Sequence, residues 1–355
     1  MRKIFLLGLL VLASPATFAQ SVPATAAASA SSASVADLPA VMVSGVQPGP
    51  GLWKVSKGDH VLWILGTMTP LPKNMQWQSR EVTQRVLASQ EVLLPPSIEV
   101  STSVGFFGKL ALLPRLIGIR NNPDGATLAE VVPPAVYARW QVLKAKYMGS
   151  NHSVEKWRPL FAGMKLYAAA SKQAGLSDKD IVRTVVRKAA KSAGIKRTST
   201  AYRFTVADPK SLVKDFKHER MDDVACFTQM LDSIDTALTH MQARANAWAT
   251  GDLAALRQQP RTDGSACQEA VTTAGFARSA GLQDVDGKVL HAWLAVAERA
   301  LAANQSTFAE MRISDLLAPH GYLDALQTAG YTVQAPDATD ADEASDAVEP
   351  VTSSP

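Results

Sequence analysis

Side chains that could do chemistry are sparse and scattered in this chain. Its six histidines are His60, His152, His218, His240, His291 and His320. None has a second histidine four residues away, and His218-Glu219 lacks the partner that would complete a zinc-binding His-Glu-x-x-His turn. Each reads as a surface or helix-end histidine. No Gly-x-Ser-x-Gly elbow and no phosphate loop occurs. Two cysteines, Cys226 and Cys267, are too few for a zinc site. In an oxidising compartment they are expected to bridge, and two buried free thiols are the alternative. One stretch has the form of a site. Val61-Leu62-Trp63-Ile64-Leu65 runs into Gly66-Thr67-Met68-Thr69-Pro70. An apolar strand ending in glycine and small polar residues is where proteins with mixed sheets often place functional groups.

The elements that must position this turn follow from periodicity. Leu52-Trp53-Lys54-Val55 reads as a strand paired with the next through the polar turn Ser56 to His60. Ser79 to Gln90 has helical spacing through Val82, Val86 and Leu87. Glu91 to Leu94 reads as a strand that Pro95-Pro96 must end or confine to an edge. Gly105 to Ile119 is apolar and is expected to cover the core or form a lid. Helices are expected from Pro133-Pro134 to about Met148 and from near Pro159 to Gly175, the latter with Phe161, Met164 and Ala168 on one face. Asp178 to Ala193 reads as a basic amphipathic helix, solvated or facing an acidic partner, and Thr198 to Val206 as a strand. Asp208-Pro209 is a helix start. From Val224 to Trp248 apolar residues step by three and four, which predicts one long helix ended by Gly251. Its stripe is expected to pack within the chain, or to serve a partner helix. A helix through Val289 and Leu301, a strand at Thr307 to Met311, and a helix and strand around Gly330 complete the pattern. The sum is α+β: a small mixed sheet built from both chain ends, with a helix-rich middle packed on it.

Composition bounds the rest. The chain has 355 residues, 47% of them hydrophobic. Arg2-Lys3, the apolar run Ile4 to Leu12 and the small residues before Ala19 form a signal peptide over 1–19. The run is short for a membrane span and no later run reaches that length, so a periplasmic or secreted protein without a transmembrane anchor is expected. Residues 20–50 are an Ala/Ser-rich linker expected to be disordered, and residues 336–355 are an acidic tail. The folded domain is expected over 51–335. It carries nine more basic than acidic groups. That charge suits an acidic polymer or a membrane surface, or is a solvated face, while nucleic acid is excluded outside the cytoplasm.

The opening motifs resemble the start of the TraB/GumN family, which includes PrgY and Tiki proteins. Leu52-Trp53-Lys54-Val55 and the Leu62 to Pro72 stretch carry the likeness, and Gly321 to Leu326 with Ala329 to Val333 resemble the family's closing helix and strand. Ala247-Trp248 and Gly251 to Leu256 are similar to a family segment near the end of the long helix. The resemblance implies two Gly-x-x-His motifs and further acids around a divalent metal, used for peptide hydrolysis in the Tiki branch. Here the first motif reads Gly66 to Thr69, with Thr69 in the histidine position, and the second Arg312 to Asp315, with Arg312 for glycine and Asp315 for histidine. The family's acids would fall near Leu94-Pro95 and Ala201-Tyr202, which hold none. A hydroxyl is a poor ligand beside imidazole. The expectation is a protein without metal or other cofactor and without catalysis, binding an acidic polysaccharide or another envelope protein. The alternative is a metallopeptidase-like hydrolase with a rearranged site. The GumN name implies exopolysaccharide loci in some relatives.

Overall fold

The marked strand pair sits in a six-stranded mixed sheet. The computed structural model describes residues 45–102, 104–150, 152–258, 265–279, 281 and 284–337. These all belong to the unit Pro39–Pro355. The expected signal peptide, the expected linker up to residue 44 and the expected tail from residue 338 lie outside the described residues. β1 (Leu52–Lys57) and β2 (His60–Thr67) form an antiparallel hairpin whose turn uses Gly58 at φ 60°. β3 (Glu91–Leu93), β4 (Lys196–Thr198), β5 (Ser306–Arg312) and β6 (Thr332–Gln334) complete the sheet in the order β6-β1-β2-β5-β3-β4. β6 and β2 run antiparallel to β1, and β2, β5, β3 and β4 run parallel. Strands from both chain ends meet in the middle, as the α+β reading expects.

β3 is an interior strand rather than an edge. It leaves the sheet at Leu93, before Pro95, so no ladder donor is lost to proline. The strand expected over Thr198 to Val206 is two strands. β4 ends at Thr198, and Tyr202–Val206 pairs in parallel with Ile98–Thr102 in a separate two-stranded sheet. Order also begins before residue 51. Val46–Gln47 pairs with Gln76–Trp77, and the Gly49 amide donates to the Ala249 carbonyl at 2.8 Å.

Helices close the sheet. α1 (Arg80–Leu87) buries Val82 and Val86, and its Arg85 guanidinium lies 4.0 Å over the Trp63 ring. The described side chains in the second half of α2 (Phe106–Leu116) lie mostly outside the core. Leu110, Leu113, Leu116 and Ile117 are exposed and Leu112 alone among them is buried. α3 (Pro134–Met148) and α4 (Pro159–Gln173) begin at their prolines, as read. The buried face of α4 is Leu160, Gly163, Leu166 and Ala170, not Phe161, Met164 and Ala168. α4 is wedged between α3 and the long helix, and the small residue Gly163 lets Met230 and Phe227 approach. α5 (Ile181–Ser192) is capped by Asp180 and buries Val182 and Val186, leaving Arg183, Arg187, Lys188 and Lys191 exposed. α6 (Pro209–His218) is capped by Asp208, whose carboxylate accepts the Lys210 and Ser211 amides.

α7 (Val224–Thr250) is the predicted long helix, ended by Gly251 at φ 75°. Its 27 residues span about 40 Å. Phe227, Leu231, Ile234 and Leu238 join Trp140, Leu143 and Leu166 in a helical core. Ala245, Ala247 and Trp248 join the sheet core. The stripe is thus consumed inside the chain, and the reading that gave it to a partner helix loses its surface. α8 (Val285–Ala303) crosses β2, β3 and β5 and buries Trp293, Ala297 and Leu301. Cys226, at the start of α7, and Cys267 are joined by a disulfide. Among the described residues no helix is long and apolar enough to cross a membrane.

Candidate functional site

The turn after β2 and the turn after β5 share the carboxyl-terminal edge of the parallel strands, where open mixed sheets place ligands. The register sets Gly66 beside Met311 and Thr67 beside Arg312. The edge is closed by packing. The Trp248 indole donates to the Gly66 carbonyl at 2.8 Å, and the Thr67 hydroxyl donates to the Met311 carbonyl at 3.2 Å. A side chain at position 66 would meet Ile313 Cδ1 at 2.6 Å and the Trp53 ring at 3.2 Å. Ile313 and Leu316 are buried in the short helix Ile313–Leu316 that lies over this point. Gly66 is therefore explained by close approach rather than by chemistry.

Of the four degenerate motif positions, Arg312 and Asp315 meet. Arg312 Nε donates to Asp315 Oδ2 at 2.9 Å and Ser314 donates to Oδ1 at 3.3 Å. Asp315 is 15% exposed, while Arg312 is 71% exposed and reaches into solvent. Burial, and after it the Asp315 carboxylate, push the Tyr322 hydroxyl up to about 12. Thr69 is exposed, one residue beyond the buried Met68. These groups do not fit a divalent metal. Both Asp315 oxygens are engaged, and Thr69 offers a neutral hydroxyl. Where the resemblance would place an acid, the Leu94 and Pro95 carbonyls accept the Thr200 hydroxyl at 2.9 and 3.1 Å. Among the described residues no three His, Cys, Asp or Glu side chains gather as a metal ligand set.

Sequence reasoning passed over Glu310. It is wholly buried in the middle of β5, and neither carboxylate oxygen has a hydrogen-bond partner. Burial pushes its carboxyl up to about 7, with Arg183 and Arg197 opposing and Asp180 adding to the rise. Strand alternation held the signal, because Glu310 shares a face with the core residue Phe308.

A second feature that periodicity could not show lies on α4. Lys165, Ala168, Ala169 and Lys172 form one helical stripe, and the two alanines leave a gap between the lysines. Lys73 closes this gap from the chain around the Leu71–Pro72 strand, donating to the Lys172 carbonyl at 3.3 Å. The resulting open cleft has a volume of about 780 Å³. Ser171 lines it, 5% exposed, and its hydroxyl has no partner among the described residues. Asp178 is the one acid among the described residues of the wall. Tyr147 forms another part of the wall, its hydroxyl bonded to Asp235.

The architecture defines an α+β protein whose sheet joins both chain ends and whose strand edge is closed by a short helix and a tryptophan. A profile of the TraB/PrgY/gumN family matches residues 51–335, and the chain belongs to that family. No curated protein and no solved structure gives a match.

Proposed function

We propose that this is an exported, non-catalytic TraB/PrgY/gumN protein that binds an acidic polysaccharide through the cleft of Lys73, Lys165 and Lys172. The observation that carries it is the cleft itself. Three cations, Lys73, Lys165 and Lys172, border one concavity whose described wall residues include a single acid, Asp178. The lysines match the carboxylates of a hexuronate polymer, and the excess of basic groups over residues 51–335 draws such a polymer in. The strand edge where catalysis would be sought is filled by the Arg312–Asp315 pair and by Trp248. Export agrees with the amino-terminal signal pattern and with a disulfide, which belongs to an oxidising compartment.

Calorimetric titration with polygalacturonate oligomers at low salt tests this. Binding is expected, weakening as salt approaches about 0.15 M. Lys165→Ala with Lys172→Ala should weaken it at least about tenfold, the loss of roughly 1.4 kcal/mol. Absence of binding at low salt, or affinity unchanged in the double variant, would overturn the glycan reading. Stoichiometric metal with chelator-sensitive peptidase activity would overturn the non-catalytic part.

A further inference from the structure

We infer that α2 is a peripheral docking ridge for an anionic phospholipid bilayer. Leu110, Leu113, Leu116 and Ile117 are 53%, 56%, 40% and 75% exposed. Their spacing of three, six and seven residues gathers them on one half of α2 and of the residue after it, with the buried Leu112 one turn before Leu116 at the border of that half. Single exposed leucines need no explanation, but four aliphatic side chains in one stripe form a contiguous apolar surface.

What borders the stripe indicates what covers it. On one side, α2 and α6 enclose a concavity of about 440 Å³ lined by Arg115, Lys210, Lys214, Lys217 and His218, with Asp208 as the single acid among its described residues. Lys210, Lys214 and Lys217 repeat at helical spacing, so α6 turns a basic face to the ridge. Asp215 is the other acid of α6, and its carboxylate accepts the Ser211 hydroxyl at 3.5 Å. Lys217 Nζ fixes the two elements together by donating to the Ile117 carbonyl at 3.0 Å. On the other side, Leu116, Ile117 and Ile119 line a concavity of about 450 Å³ with Arg120 and Trp157, and the Arg120 guanidinium lies 5.1 Å over the Trp157 ring. An apolar ridge flanked by cations and a half-buried tryptophan is complementary to a layer that presents anionic headgroups above hydrocarbon. An acidic glycan offers the charge but nothing for the ridge to enter. The ridge shares no residue with the Lys73–Lys165–Lys172 cleft, so the two readings stand or fall separately.

The test is vesicle co-sedimentation of the full chain purified after export, so that the apolar leader is not carried along. Binding is expected to vesicles of phosphatidylethanolamine with phosphatidylglycerol, and to be at least about tenfold weaker on pure phosphatidylcholine. Leu113→Glu with Ile117→Glu should lower partitioning at least about tenfold. Lys210→Glu with Lys214→Glu should remove the preference for phosphatidylglycerol. All four positions are exposed, and an unchanged melting temperature shows that each variant is folded. Lys165→Ala with Lys172→Ala should bind vesicles like the parent chain. Equal binding to both vesicle types, no binding to either, or full binding by the Leu113/Ile117 variant would each overturn the inference. So would a solution dimer that the Leu113/Ile117 variant dissolves, because the ridge would then face a second copy.

Discussion

Glu310 places an ionisable group in the core. Its carboxyl is buried in a central strand without a hydrogen bond, and burial holds it near 7 against an ordinary value of 4.5. Below pH 4.5 the group is protonated in folded and unfolded chains alike. Between 4.5 and 7 the unfolded chain releases the proton while the folded chain keeps it, so stability falls as pH rises. Above 7 both forms are ionised and the loss is complete, on the order of 3 kcal/mol. Glu310→Gln should therefore be less stable relative to the parent at low pH than at high pH. Urea midpoints for the two chains across this window check it, and parallel profiles would contradict it. Taking the difference cancels other buried acids such as Asp223, which is also shifted up by burial. The residue was legible in principle. A lone acid flanked by Phe308, Ala309 and Met311 must face the core on strand alternation, yet its type reads as surface. Lys73 and Lys172 were not legible, because their meeting depends on how distant segments pack.

At the scale of elements, local chemistry was read more fully than tertiary contact. The cap at Asp208, the stop at Gly251 and the proline-started helices α3 and α4 all depend on neighbours in sequence, and they stand where those residues place them. The misread faces depend on partners. Met164 lies outside the α4 interface because that helix packs on two others through small residues, and Leu110, Leu113 and Leu116 of α2 are left exposed although their type suggests a core element. The closed strand edge is likewise a matter of packing. Gly66 has ordinary backbone torsions, so only space forbids a side chain there. Gly66→Ala forces Ile313 Cδ1 and the Trp53 ring to give way. It should cost about 1–3 kcal/mol in a denaturant titration. A neutral substitution would show that the helix Ile313–Leu316 lifts easily from the strand ends, and would reopen that edge to ligands.

For the whole molecule, the two cores are coupled by α7, which contributes Phe227, Leu231 and Ile234 to one and Ala245 and Trp248 to the other. The sequence showed the helix and its stripe, but not that the stripe serves two cores in turn, since periodicity carries no information about which neighbour each turn meets. Arg158 and Asp223 strengthen the helical end. The buried Arg158 guanidinium donates to the carbonyls of Phe216 and Glu219 at the end of α6, and Asp223 accepts the Leu160 amide at the start of α4. The disulfide ties the same region, joining the first turn of α7 to the helix Ser265–Thr272 across a separation of 41 residues. In the chain-entropy account a loop of that length stabilises by about 4 kcal/mol. Because α7 runs on into the sheet core, loosening its start should lower the stability of the molecule as one unit rather than melt the helical core alone. Cys226→Ala with Cys267→Ala should thus shift a single urea transition to lower denaturant, with far-ultraviolet ellipticity and tryptophan fluorescence moving together. Trp140 reports the helical core, while Trp53, Trp248 and Trp293 report the sheet core. Two separated transitions in that variant would show that the bridge, and not the long helix, couples the cores.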